Sequence, residues 1–221
     1  MDLRLFLDSS DLQDWKCLWP SGIFSGITTN PTLLRRAQRS CTLRSLEEVA
    51  AAAVALQVRE LHLQAWGSDA RALETCGRAL AALAPGAIRV KLPLTQDGLR
   101  AARSLIESGI SITFTACYAA DQVLLASALK ADYVAPYLGR INDQGRDGTQ
   151  EILTMQKALR AVGSNTRLLV ASLRAPGELA ALASGGCDTF TISASLAHAL
   201  MNNPHTADAA RQFENDVVAS A

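Results

Sequence analysis

One lysine of this sequence stands where it could act as a nucleophile. Only four of the 21 basic residues are lysines, and three of them, Lys16, Lys130 and Lys157, fall in segments with helical patterns. Lys91 instead lies in a short apolar run typical of a buried strand. Burial lowers the pKa of a lysine, and the neutral amine that results can attack a ketone to form an imine. A strand-end lysine paired with a carboxylate is the structural alternative.

Other polar residues stand at the ends of further apolar runs. In an α/β barrel the active site lies at the C-terminal ends of the strands, so polar residues at those ends are candidates for chemistry. Polar residues within the helical segments are instead expected to form solvated faces. The strand-end candidates besides Lys91 are Asp8, Thr28, Thr29, Asn30, Gln64, Thr115, Tyr137, Arg140, Ser172, Arg174 and Ser193.

The elements that would position these residues alternate regularly along the chain. Eight short apolar runs predict strands at residues 3–8, 22–28, 60–64, 87–92, 111–116, 133–136, 166–171 and 189–192. Amphipathic stretches between them predict helices, such as 43–56, with candidate N-caps at Ser10, Ser68 and Thr95. Eight alternating units favour a single-domain (β/α)8 TIM barrel over residues 1–221, with an extra C-terminal helix after Pro204. A doubly wound open sheet is the runner-up, but no Gly-x-Gly-x-x-Gly motif follows the first strand.

The composition narrows the possible partners and the compartment. Equal numbers of acidic and basic residues give a formal net charge of zero, which speaks against nucleic acid or an anionic membrane as a partner. The five cysteines are odd in number and form no Cys-x-x-Cys pair, so we expect a reduced, cytoplasmic protein. The three histidines, His62, His198 and His205, have no metal-ligand spacing. We therefore expect neither a metal nor a cofactor.

Five segments together resemble the transaldolase family, and most closely its small branch, which includes fructose-6-phosphate aldolase. They lie in the expected order on the predicted strands, at residues 5–10, 26–32, 90–95, 133–141 and 170–174. The resemblance implies that Lys91 forms the imine with a sugar phosphate. It also implies a homo-oligomer, a pentamer or a decamer of stacked pentamers.

The resemblance also implies roles for the other strand-end residues. Asp8 and Asn30 match positions that contact the dihydroxyacetone portion of the substrate, and Asp8 could relay protons; we expect Thr28, beside them, to be a substrate-binding residue as well. Arg140, Ser172 and Arg174 match the phosphate site, and the chemistry agrees because guanidinium forks and a hydroxyl suit a phosphate.

Three positions bear on the subtype. Gln64, Thr115 and Tyr137 would surround a proton-transferring water near Lys91. Ordinary transaldolases have a glutamate and a phenylalanine at the first and last of these positions, whereas the aldolase branch has glutamine and tyrosine. A tyrosine hydroxyl can exchange a proton with the C4 hydroxyl as the bond breaks. We therefore predict a class I aldolase that interconverts fructose 6-phosphate with dihydroxyacetone and glyceraldehyde 3-phosphate. The alternative is a transaldolase that transfers a dihydroxyacetone unit between sedoheptulose 7-phosphate and glyceraldehyde 3-phosphate.

Two rival functions and one unexplained residue remain open. An isomerase or epimerase would need an acid or base at a strand end, for which Glu60 and His62 are the nearest candidates. A non-catalytic barrel relative would be expected to lack several of the strand-end residues. Arg89 precedes Lys91 by two residues and should point to the same side of its strand. It would then either pair with an acid or lower the pKa of the lysine by repulsion.

Overall fold

Eight parallel strands close into a barrel in the order of the sequence. The computed structural model describes residues 2–220. Each predicted strand is present, with its ends shifted by two residues or fewer, so the (β/α)8 barrel is confirmed. The strands are β1 (Arg4–Asp8), β2 (Phe24–Thr28), β3 (Leu61–Gln64), β4 (Ile88–Pro93), β5 (Ile112–Cys117), β6 (Tyr133–Pro136), β7 (Arg167–Val170) and β8 (Thr189–Ile192).

Helices surround the barrel and follow the strands along the chain, as right-handed β–α–β connections require. They are α1 (Leu12–Leu18), α2 (Pro31–Arg36), α3 (Leu43–Ala55), α4 (Ala70–Leu83), α5 (Gln96–Glu107), α6 (Gln122–Ala128), α7 (Leu138–Asp143), α8 (Gly148–Ala161), α9 (Pro176–Ser184), α10 (Ala194–Met201) and α11 (Pro204–Ala219). A single 3₁₀ turn (Trp19–Ser21) follows α1. None of the helices within residues 2–220 has the length and apolar character needed to cross a membrane.

The helix starts confirm one predicted N-cap and correct two. Thr95 caps α5 through a hydrogen bond from the backbone N–H of Gly98. Ser10 and Ser68 are not the caps of α1 and α4, because the neighbouring Asp11 and Asp69 take that position. In both cases a serine precedes an aspartate, and the aspartate carboxylate both accepts a backbone N–H and interacts favourably with the positive end of the helix dipole.

Most of the predicted apolar face of α3 packs inward. Leu46, Val49 and Ala53 are buried against the barrel. Leu43 and Val54, at the two ends of the same pattern, are exposed. The helical period therefore gives the direction of the buried face, whereas the width of that face depends on how far the neighbouring helices extend.

The lower part of the barrel, at the N-terminal ends of the strands, holds a polar network instead of a purely apolar core. The Tyr133 hydroxyl donates to Glu60 at 2.7 Å, and Arg4 donates to Glu60 at 3.1 Å. Arg89 approaches the same carboxylate at 3.6 Å. Arg89 thus pairs with an acid, which resolves the two alternatives left open by the sequence. Burial raises the pKa of Glu60, but the neighbouring His62 ring, the hydrogen bond from Tyr133 and the charge of Arg89 outweigh it and hold the pKa at about 2.

The C-terminal segment forms the extra helix that the sequence predicts. Helix α11 begins at Pro204 and ends at Ala219, and its residues are exposed. The exposed side chains include three large apolar ones, Phe213, Val217 and Val218. The last residue of the predicted segment, Ala221, lies outside the described residues.

Candidate active site

A cavity of about 640 Å³ opens at the C-terminal ends of the strands. A volume of this size falls within the range of about 300–1,000 Å³ that is typical of small-molecule sites. All of the residues that the sequence predicts for catalysis and substrate binding line it, namely Asp8, Thr28, Asn30, Gln64, Lys91, Thr115, Tyr137, Arg140, Ser172 and Arg174. Two further strand-end candidates do not line it: the Thr29 hydroxyl donates to the backbone carbonyl of His62 at 3.0 Å, and the Ser193 hydroxyl caps α10 by accepting from the Leu196 N–H at 3.2 Å.

Lys91 occupies the centre of this site on β4. The residue is only 5% exposed, and its Nζ donates a hydrogen bond of 2.8 Å to the backbone carbonyl of Thr29. Burial lowers the pKa of the amine, while the nearby Asp8 carboxylate raises it. A carbonyl only accepts hydrogen bonds, so this contact orients the amine without occupying its lone pair. The lone pair of the neutral amine is therefore available to an electrophile in the cavity.

Asp8 is held by a pair of threonine hydroxyls. The Thr28 hydroxyl donates to Asp8 at 2.7 Å and lies 2.5 Å from the Thr191 hydroxyl. Since Thr28 has one hydroxyl proton, Thr191 donates to Thr28 and the three groups form a directed chain. Burial raises the pKa of Asp8, whereas Lys91 and the Thr28 hydrogen bond lower it. A carboxyl balanced in this way can take up and release a proton.

Asn30 faces the cavity with only part of its amide engaged. Its Oδ1 accepts the backbone N–H of Leu33 at 3.0 Å and so caps helix α2. The side-chain NH₂ group remains as a donor for a ligand hydroxyl. Pro31 occupies the first position of α2, where its missing N–H has no cost. Strand β2 and helix α2 thus fix the direction of the Asn30 amide.

The hydroxyls of Thr115 and Tyr137 form a short hydrogen bond across the neighbouring ends of β5 and β6. The register of these strands shifts between Phe114 and Cys117, which is a β-bulge at the cavity mouth. Ala116 lies inside the bulge with a left-handed backbone (φ 60°), a conformation that costs free energy in a residue other than glycine. Bulges of this kind redirect side chains near active sites. Here the bulge accompanies the contact between Thr115 and Tyr137.

A second group of residues forms a cationic wall beside β6 and β7. The Arg140 guanidinium lies 4.7 Å from the centre of the Tyr137 ring, a cation–π contact. Arg174 forms two hydrogen bonds with Asp143, at 2.8 and 2.6 Å. Ser172 lies next to them with a left-handed backbone (φ 62°). Arg140 of this wall can bind an anion directly. Arg174 can also bind it if the anion replaces the Asp143 carboxylate or binds beside it.

Gly139 makes room for this wall. A Cβ atom at this position would lie 2.6 Å from Nε of Arg174 and 2.7 Å from the backbone carbonyl oxygen of Ser172. The Gly139 N–H also donates to that carbonyl at 3.0 Å. Glycine at the start of α7 therefore allows Arg174 to lie over the helix and face the cavity.

The acid–base residues required by the isomerase hypothesis lie below the cavity. His62 is completely buried, and its Nδ1 is 2.9 Å from the hydroxyl of Thr113. Burial lowers the pKa of His62 to about 4, so the ring is neutral at physiological pH. Glu60 belongs to the network at the bottom of the barrel, and neither residue lines the cavity. A substrate in the cavity would not reach either group.

Four polar residues that line the cavity were not predicted from the sequence: Thr32, Arg36, Asp143 and Thr191. Thr191 lies two residues before Ser193, the strand-end candidate after β8. Because side chains two residues apart in a strand point to the same side, strand alternation could have identified Thr191. Arg36 and Asp143 end helices α2 and α7, where a charged residue is normally assigned to a solvated face. No local pattern distinguishes them from other surface charges.

Comparison with known proteins places the chain in a family. The sequence profile described as Transaldolase/Fructose-6-phosphate aldolase matches residues 5–220. The chain belongs to this family. A relative from Phenylobacterium zucineum named "Probable transaldolase" is 32% identical over 214 residues, which cover 97% of this chain and 96% of the relative. A protein of Caulobacter sp. with the same name is 34% identical over 214 residues, with the same coverage of both chains.

Membership of the transaldolase/fructose-6-phosphate aldolase family identifies the protein as an enzyme of the aldolase/transaldolase type. The hypothesis of a non-catalytic barrel is thereby set aside. Thiamine phosphate pyrophosphorylase from Pyrococcus furiosus shares the fold with a TM-score of 0.63 over 88% of this chain and 87% of that chain. At 11% sequence identity, this likeness concerns the barrel architecture alone.

Proposed function

We propose that the protein transfers a dihydroxyacetone unit between sugar phosphates through an imine on Lys91. The observation that carries this proposal is the position of the Lys91 amine, which is buried in a cavity lined by hydroxyl-binding groups and arginines. The names of the relatives support transfer, because several are called probable transaldolases. Arg140, Ser172 and Arg174 would bind the phosphate of the ketose.

The proposed reaction begins when the neutral Lys91 amine attacks the C2 carbonyl of a ketose phosphate. Loss of water gives a protonated imine, which accepts the electron pair of the C3–C4 bond as that bond breaks. The C4 hydroxyl becomes the aldehyde and gives its proton to a base, for which Tyr137 and Asp8 are placed at the cavity wall. The aldose phosphate leaves, and the enamine on Lys91 attacks an acceptor aldehyde in the reverse sense.

Aldol cleavage of fructose 6-phosphate without an acceptor is a second candidate. It is favoured by the hydrogen-bonded Thr115 and Tyr137 hydroxyls and by the uncharged Gln64, which lies beside Lys91 in the β3–β4 register. These groups can position a water that protonates the enamine and then hydrolyses the imine, which releases free dihydroxyacetone. The two candidate reactions thus share every step up to the enamine. They differ only in whether the enamine attacks an acceptor aldehyde or is protonated by water.

The covalent step is tested by reduction with borohydride in the presence of dihydroxyacetone. We expect a stable adduct on Lys91, identified by mass spectrometry of peptides. Lys91→Met should abolish both the adduct and the activity, whereas Lys157→Met, on the exposed side of α8, serves as the matched control. Activity that persists in Lys91→Met would show that another residue is the nucleophile.

The fate of the dihydroxyacetone unit is tested with two assays of one preparation. The first measures release of glyceraldehyde 3-phosphate from fructose 6-phosphate alone, and the second adds erythrose 4-phosphate as the acceptor. We expect rapid turnover only when the acceptor is present. Equal turnover without it would reject transfer and select the aldolase reaction.

A further inference from the structure

Arg36 is a cationic residue of the cavity to which the proposed reaction assigns no role. It ends helix α2, which follows strand β2, and its side chain lines the cavity together with Lys91 and Arg140. In a closed ring of eight strands, β2 lies opposite β6, and β4 lies midway between them. Arg36 and Arg140 therefore stand on opposite walls of the mouth, with the Lys91 amine between them.

The charge of Arg36 is less compensated than that of Arg174. Arg174 is held by Asp143 in a bidentate contact, whereas within residues 2–220 the Arg36 guanidinium makes no salt bridge or hydrogen bond. Burial raises the pKa of Asp8, and the positive charge of Arg36 acts in the opposite direction, so the guanidinium is within electrostatic reach of that carboxylate. A planar guanidinium with free donors is suited to a phosphate.

The position of Lys91 decides which end of a substrate would meet Arg36. If C2 of a ketose is bound to Lys91 and its terminal phosphate lies at Arg140 and Arg174, the C1 end points to the opposite wall. That wall carries Asp8, Asn30 and, further towards solvent, the exposed Arg36. A C1 hydroxyl would contact Asp8 and Asn30, and a group attached to that hydroxyl would extend towards Arg36.

We propose that Arg36 forms a second anion subsite, which binds a phosphate on C1 of the donor. The proposal rests on the imine chemistry of Lys91 and extends it to a further substrate class. That class comprises dihydroxyacetone phosphate and ketoses phosphorylated at C1, including bisphosphates with one phosphate on each wall. The cavity of about 640 Å³ is large enough for such a donor.

The test compares how strongly the enzyme captures two three-carbon donors. Borohydride trapping on Lys91 is measured by intact mass over a range of dihydroxyacetone and of dihydroxyacetone phosphate concentrations. The readout is the ratio of the half-saturating concentrations of the two compounds. Arg36→Gln should raise the ratio of the phosphorylated to the free compound about tenfold, the loss expected for one hydrogen-bonded ion pair. Arg36→Lys should restore part of the difference.

Arg35→Gln is the matched control, because Arg35 is an exposed neighbour on α2 that does not line the cavity. The ratio should be unchanged in this variant. An unchanged ratio in Arg36→Gln, or a shift that appears only in Arg140→Gln, would overturn the second subsite. A wild-type enzyme that forms no adduct with dihydroxyacetone would instead overturn the proposed function, so the two failures are distinguishable.

Discussion

Replacing Thr28 with valine tests whether Asp8 is a hydrogen-bonded carboxylate. Valine has nearly the same shape, so the packing of this fully buried position should be preserved. The substitution removes the hydroxyl that donates to Asp8 at 2.7 Å and accepts from Thr191 at 2.5 Å. Its effect on stability should therefore come from these two hydrogen bonds and depend on the charge of Asp8.

The expected magnitude follows from the kind of bond that is lost. A hydrogen bond to a charged group contributes about 1.5–3 kcal/mol, and one between neutral groups about 1 kcal/mol. Burial raises the pKa of Asp8 above its ordinary value of 3.8, and the Thr28 hydrogen bond lowers it. The folded protein thus binds this proton more tightly than the unfolded chain, and stability is lost as pH rises through the folded pKa. Thr28→Val raises that pKa further and should steepen the loss.

Urea unfolding at several pH values measures the difference between wild type and variant. Thr28→Val should reduce the free energy of unfolding by about 3 kcal/mol at pH near 8 and by about half as much at pH near 4. The acid limb of kcat/KM should also move to higher pH. Thr191→Val is the control, since it removes only the neutral bond and should lower stability equally at both pH values. A pH-independent loss in Thr28→Val would refute a charged, hydrogen-bonded Asp8.

Three further substitutions test other parts of the site and the barrel core below it. Gly139→Ala should raise KM for a phosphorylated substrate about tenfold by displacing Arg174, while Gly177→Ala, whose added Cβ meets nothing within 4 Å, should have no effect. Tyr137→Phe should lower acceptor-free cleavage relative to transfer about tenfold, measured with the two assays, because it removes a hydroxyl that positions the water needed only for acceptor-free cleavage; an unchanged ratio would exclude this role. The contribution of His62 to wild-type stability should fall as pH drops from 6.5 to about 4, since burial lowers the pKa of His62 from the first value to the second. The urea midpoint of His62→Gln should fall less steeply there, and equal slopes would assign the acid sensitivity to other groups.

The fold could be predicted from the sequence because each strand is a short apolar run between polar helical stretches. Such runs are typical of strands buried on both faces of a parallel sheet. The exact ends were less predictable, since a strand ends where hydrogen bonding with its neighbours ends. The N-cap residues of the helices were difficult to predict for a similar reason. Ser68 and Asp69 are both good N-cap residues, and it is Asp69, with its extended backbone, whose carboxylate accepts the backbone N–H of Ala72 at 2.9 Å.

The candidate site could be predicted because parallel strands bring their C-terminal ends to one edge. Distant positions such as Asp8 and Arg174 therefore converge whatever their separation in the chain. The pairing of Arg174 with Asp143 was not predictable, because the partners are 31 residues apart and no pattern links them. The bulge at Ala116 was equally hidden, since alanine is not a residue that indicates a left-handed backbone.

The lower half of the barrel explains why one lysine can be both buried and reactive. The rings of His62 and Phe6 pack against each other in the buried core of the barrel, with their centres 4.9 Å apart, and Asp8, not Glu60, is the carboxylate that shifts the pKa of the Lys91 amine. Because Glu60 is matched by Arg4 and Arg89, the network around Glu60 presents no unpaired carboxylate that would hold Lys91 as an ammonium. The remaining acid near the amine is Asp8, which opens to the cavity and can exchange protons with a ligand. Because the charges at the bottom of the barrel are paired with one another, the protonation state of Lys91 depends on Asp8 and on the ligand in the cavity.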